Sequence, residues 1–137
     1  VDARPETRAA QQLRDRCAET GVCDVWLCQF HSTDRVGAQD YGVRLDHDRK
    51  LATVDRTQLL DATMEDARVV PARRTWPEDV WRVKGWADQM QAPKRILNES
   101  GTRYLWSEGT ADDHYRFCDA YSRVAMDLLA GQGAYLG

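Results

Sequence analysis

The clearest periodicity in the chain lies near its C-terminus. Phe117, Ala120, Tyr121, Val124, Ala125, Leu128 and Leu129 recur at steps of three and four, which predicts one apolar helix face. The polar run before them reads as an N-cap region, with Thr110, Asp112 or Asp113 as the capping residue. A second helix is predicted near the N-terminus. Ala9, Ala10, Leu13 and Cys17 line one side and Arg8, Gln11, Gln12, Arg14 and Asp15 the other; Pro5 and Glu6 suit the first turn and Gly21 closes it. Val22 to Phe30 is apolar on both faces, as in an interior strand of a sheet covered on both sides. His31 to Gly42 is polar and reads as a loop. Val43 to Leu45 and Leu51 to Val54 flank Asp46-His47-Asp48-Arg49-Lys50, the pattern of a β-hairpin with a polar tip. Asp55 then caps a helix that buries Leu59, Leu60, Thr63, Met64 and Ala67. Arg68 to Pro71 reads as a short strand stopped by proline. Arg103 to Ser107 reads as another, with Tyr104 and Trp106 on one face. Strands alternating with helices place the chain in the α/β class.

Trp76, Trp81 and Trp86 recur every five residues, so they do not share one helical face. Thr75 and Pro77 suit a helix start there. Core packing is the expected role of such large rings, and stacking on a nucleic-acid base is the alternative.

Composition adds limits. The 137 residues suit one domain, with 42% hydrophobic and 30% charged residues. No apolar run approaches the roughly 20 residues of a membrane span, and no signal-peptide pattern is visible. The four cysteines, Cys17, Cys23, Cys28 and Cys118, form no C-x-x-C pair and read as free, reduced thiols of a cytoplasmic protein. A net charge of −3 does not by itself suit a partner of nucleic acid. Local clusters exist at Arg4, Arg8, Arg14 and Arg16, at Arg73 and Arg74, and at Lys94 and Arg95; each is either a phosphate contact or a solvated surface.

The candidate chemistry is acidic. Asp112 and Asp113 sit side by side where the Gly109 turn meets the last helix, and paired carboxylates with free lone pairs are what a hard divalent cation needs. A cap is the simpler role for either. His114 follows directly and suits a metal, a water or a phosphate oxygen, or simply a helix start. Asp2 precedes the first helix, where a strand hands over at the carboxyl edge of an open α/β sheet. His31 and His47, in predicted loops, read as solvated.

Taken in series, Asp2 to Arg8, Val54 to Asp61 and Trp106 to Tyr121 resemble the C-terminal nuclease domain of the large subunit of phage terminases, the DNA-packaging motors of tailed phages. The resemblance runs over nearly the whole chain in the right order. It implies a ribonuclease H-like mixed sheet flanked by helices, which cuts concatemeric double-stranded DNA into genome lengths. Asp2 matches the family's second acidic motif, at the end of a central strand before a helix. Asp112 and Asp113 match the third, which opens the last helix, with His114 and Asp119 as neighbours. The first acidic motif has no counterpart, and no G-x-x-x-x-G-K-[ST] phosphate loop occurs. Residues 1–137 are therefore expected to be a single, partial nuclease domain lacking its first strands and its ATPase domain.

The resemblance further implies two-metal-ion phosphodiester hydrolysis with Mg²⁺ or Mn²⁺. Asp2, Asp112 and Asp113 would be the metal carboxylates, with His114 beside them. Without the first-motif carboxylate, the segment alone is expected to bind metal weakly and cut poorly. Double-stranded DNA, the phage portal and the small terminase subunit are the implied partners, in the host cytoplasm and away from membranes. Two other readings stand against this one. One is a non-catalytic docking domain of the same fold, its carboxylates serving only as caps. The other is another ribonuclease H-like nuclease such as a resolvase.

Overall fold

A computed structural model describes residues 1–2, 6–31, 43–107 and 112–133. The chain divides into two compact units, Val1–Gln58 and Leu59–Gly137. Among the described residues the architecture is mixed α/β, with four α-helices and two small sheets.

In the first unit, α1 (Thr7–Thr20) precedes β1 (Leu27–His31), followed by β2 (Arg44–Asp46) and β3 (Leu51–Asp55). The sheet order is β1-β3-β2. β1 runs parallel to β3, from Leu27 opposite Leu51 to His31 opposite Asp55. β2 runs antiparallel to β3, with Leu45 opposite Ala52. The free side of β1 takes the start of the chain, because Asp2 forms a parallel bridge to Cys28. The Cys28 N–H donates to the Val1 carbonyl at 2.7 Å, and the Val1 amine donates to the Trp26 carbonyl at 3.0 Å.

The helix α1 ends as its sequence predicts. Gly21 takes a left-handed conformation, φ 65°, and its N–H donates to the Cys17 carbonyl at 2.9 Å. A side chain there would cost about 1–2 kcal/mol. Only Ala10 of α1 is fully buried, packing with Leu27, Val25 and Leu51. The predicted strand 22–30 is shorter than its apolar run, and Val22 is 79% exposed. Val22 follows the helix stop directly and lies in the turn, so the chain reaches the sheet only at Leu27. The hairpin forms as expected. Its turn is closed by Asp46, whose carboxylate accepts the Arg49 N–H at 2.9 Å, and is held to α1 by Arg14 donating to the Arg49 carbonyl at 2.8 Å. Lys50 ends the turn in a left-handed conformation, and its ammonium pairs with Asp24, holding that carboxyl below the usual range.

Helix α2 (Arg56–Arg68) leads from the first unit into the second. Asp55 caps it, its carboxylate accepting the Gln58 N–H at 2.9 Å. Its buried residues in the second unit are Leu59, Leu60, Thr63 and Asp66. The aspartate was not expected among them. The strand predicted at 68–71 does not form; the helix runs through Arg68 and Val70 is 96% exposed.

The second unit continues with a 3₁₀ turn (Val80–Arg82), α3 (Trp86–Gln91), the antiparallel pair β4 (Arg95–Leu97) and β5 (Tyr104–Trp106), and α4 (His114–Gly133). The turn between β4 and β5 is built by Asn98, whose side-chain oxygen accepts the N–H groups of Thr102 and Arg103. Trp76 and Trp86 pack edge to face, ring centroids 5.7 Å apart, whereas Trp81 is 66% exposed with Arg82 over its ring. Five-residue spacing leaves two of these rings half-buried against each other and the third exposed, so none lies in the buried core. The buried stripe of α4 is Arg116, Ala120, Val124 and Leu128. It is rotated from the predicted face, since Leu129 is 63% exposed. The rotation has a chemical cause. The Arg116 guanidinium finds buried acceptors and takes a core position that hydropathy assigns to its neighbour Phe117. No helix among the described residues is long and apolar enough to cross a membrane.

The thiols differ by burial. Cys28 is buried, and desolvation pushes its pKa up to about 12, whereas Cys23 and Cys118 are exposed. Cys17 is half-buried and its pKa is raised by a hydrogen bond with Cys23. A thiol-reactive chromophore at pH 8 is expected to label Cys118 in the native protein and to spare Cys28 until denaturant is added. Labelling of Cys28 at the rate of Cys118 would contradict the buried sheet position.

Candidate functional site

The predicted site residues fall in both units. Asp2 belongs to the first, at the exit of an extended segment hydrogen-bonded to β1 and shortly before α1. Its side chain is exposed. Carboxyl ends of parallel strands are where open α/β sheets bind ligands, because each following helix turns the chain away and leaves the edge accessible.

Asp112, Asp113 and His114 belong to the second unit, at the head of α4. Asp113 is the capping residue, its carbonyl accepting the Phe117 N–H at 3.1 Å. The next orphan donor is met from outside the helix: Gln89 of α3 accepts the Tyr115 N–H at 3.1 Å. Asp112 and His114 are exposed, with His114 Nε2 3.9 Å from Asp112 Oδ1. Asp113 is half-buried. Thr110, the third capping candidate, lies outside the described residues.

No family model, curated protein or solved structure matches this chain.

As donors, these residues suit a hard divalent ion, since carboxylate oxygens are its preferred ligands. Among the described residues, no group of three or more His, Cys, Asp or Glu side chains is gathered at one point. The agreement with Mg²⁺ or Mn²⁺ is one of donor type alone.

A second constellation was not legible in the sequence. It lies wholly in the second unit and is centred on two carboxylates, Asp119 of α4 and Asp66 of α2. Asp119 Oδ1 accepts Arg74 Nε at 2.7 Å and Trp76 Nε1 at 3.1 Å, and Oδ2 accepts Arg116 Nη1 at 3.4 Å. The Asp119 carbonyl accepts Arg74 Nη2 at 2.7 Å. Arg116 is 1% exposed; its Nη2 donates to the Leu60 carbonyl at 2.9 Å, and its guanidinium lies 5.8 Å from the Trp106 ring centroid. Burial lowers the Arg116 pKa and Asp119 opposes that shift. Asp66 pairs with Arg123, while its carbonyl accepts the N–H groups of Arg73 and Arg74 at 2.8 and 3.1 Å. These last two bonds fold the segment after α2 back onto the helix end. Asp61, earlier on α2, accepts Trp106 Nε1 at 3.0 Å and Arg95 Nη2 at 3.2 Å, tying the β4–β5 pair to the helix.

The only sequence signals for this network were the adjacent Arg73 and Arg74 and the i, i+3 spacing of Arg116 and Asp119. Asp119, which the resemblance sets beside the third acidic motif, is committed here to holding α4 and Arg74 together.

Proposed function

We propose that this chain is the ribonuclease H-like nuclease domain of a phage terminase large subunit, a Mg²⁺- or Mn²⁺-dependent endonuclease acting on concatemeric double-stranded DNA in the host cytoplasm. The observation that carries this reading is the parallel bridge of Asp2 to Cys28. It sets Asp2 beside β1 in parallel, a few residues ahead of α1, and a carboxylate at such a sheet edge is available to a ligand. The order of the three motifs supports the family, and Asp113 at the head of α4 agrees with the place of its third motif.

In the second unit Asp112 and Asp113 would offer carboxylate oxygens to an ion and His114 would orient a water or donate to a phosphate oxygen; in the first unit Asp2 is the carboxylate that would do the same. The ions, when bound, supply an activated water and neutralise charge on the leaving oxygen. The carboxylates contribute negative charge and hard oxygen donors while leaving coordination positions for water and phosphate. Portal protein and small terminase subunit are the partners this reading carries. It is tested by plasmid nicking with Mn²⁺, comparing the full-length protein with its Asp113→Asn variant.

A further inference from the structure

The arginine network of the second unit borders an open cleft of about 610 Å³. We propose that this cleft holds a phosphate group of the DNA backbone, with Arg73 and Arg74 as its ligands; the choice of DNA rests on the nuclease reading. The side chains lining it include three guanidiniums, Arg73, Arg74 and Arg123, against two carboxylates, Asp66 and Asp119, which leaves one positive charge. Adding Arg116 and Asp127, which bond into the same network, keeps that balance.

The guanidiniums are not equivalent. Arg74 is fixed: its Nε and Nη2 are spent on Asp119 and Ser122, and its Nη1 takes no part in those bonds. Arg73 is 71% exposed on its side chain and forms a loose ion pair with Asp66, Nη1 to Oδ1 3.8 Å, too long for a hydrogen bond. A held arginine beside a largely exposed one is a preorganised fork for an oxyanion, because carboxylates already orient the first and the second is not tied by a side-chain hydrogen bond to Asp66. The space favours a polymer over a small ion. A lone phosphate fills a minor part of this cleft and small-molecule sites enclose their ligands, whereas a backbone phosphate arrives with its sugars through an open mouth.

The experiment is fluorescence anisotropy of the full-length protein with labelled duplexes of two unrelated sequences, in EDTA so that nothing is cut, over a range of salt. Arg73→Gln is the informative variant. The backbone N–H of residue 73 still reaches the Asp66 carbonyl and Arg123 still pairs with Asp66, and circular dichroism checks that the fold persists. The expected result is weaker binding by the same factor on both sequences and a loss of about 1 from the slope of log affinity against log salt. Arg73→Lys is expected to restore the slope. An unchanged slope in Arg73→Gln overturns the proposal. So does binding of inorganic phosphate, followed by its ³¹P signal, that Arg73→Gln abolishes while duplex binding stays as in the parent; the cleft would then serve a small anion. The nuclease reading fails separately, on nicking by Asp113→Asn, which leaves the salt slope in EDTA untouched.

Discussion

Asp119→Ala is expected to lower the stability of the second unit by about 3–5 kcal/mol, the usual cost of removing one partner from a buried ion pair. The Asp119 carboxylate serves Arg74, Arg116 and Trp76 together, and its side chain is 8% exposed. Deleting it strands the Arg116 guanidinium, which is too buried to recover water as a partner. The helix itself does not suffer, since alanine is the best helix former and residue 119 lies inside α4. The loss therefore reports the network. Urea unfolding followed by circular dichroism checks it, and a loss below about 1 kcal/mol would contradict the burial of the pair. Asp119→Asn keeps an oxygen for Trp76 and Arg74 and is expected to lose less. Adding Arg116→Met to Asp119→Ala is expected to recover part of the loss, because the stranded charge is then gone.

Asp113→Asn is expected to reduce plasmid nicking by at least about 10²-fold, since even groups that merely orient a metal ligand contribute about 10–100-fold. The substitution separates two roles of one residue. Asparagine caps a helix about as well as aspartate, and the backbone carbonyl that accepts the Phe117 N–H is unchanged, so α4 is expected to keep its start. The loss of charge near the helix N-terminus acts on stability at about 0.3–1 kcal/mol. Equal nicking by parent and variant, or none by either in a folded protein, would return Asp113 to a cap and favour a docking domain. Preference for branched over linear duplex would favour a resolvase.

What the sequence determined by itself was local. The stop at Gly21, the cap at Asp55 and the Asp46–Lys50 hairpin tip each depend on residues within a few positions of one another, and those short-range bonds are present. Tertiary structure decided the rest. Apolar character alone made Val22 to Trp26 and Val69 to Val70 resemble strand, but a strand needs a partner and none of these residues has a place in the described sheets. Hydropathy centred the buried face of α4 beside Phe117, while the observed stripe runs through Arg116. An arginine enters a core only when distant acceptors meet it, here the Leu60 carbonyl and the Asp119 carboxylate. Asp66 is buried for the complementary reason, that Arg123 arrives from 57 residues away. Charges that pair across such separations leave no periodic trace, because their burial is set by partners that only the folded chain brings within reach.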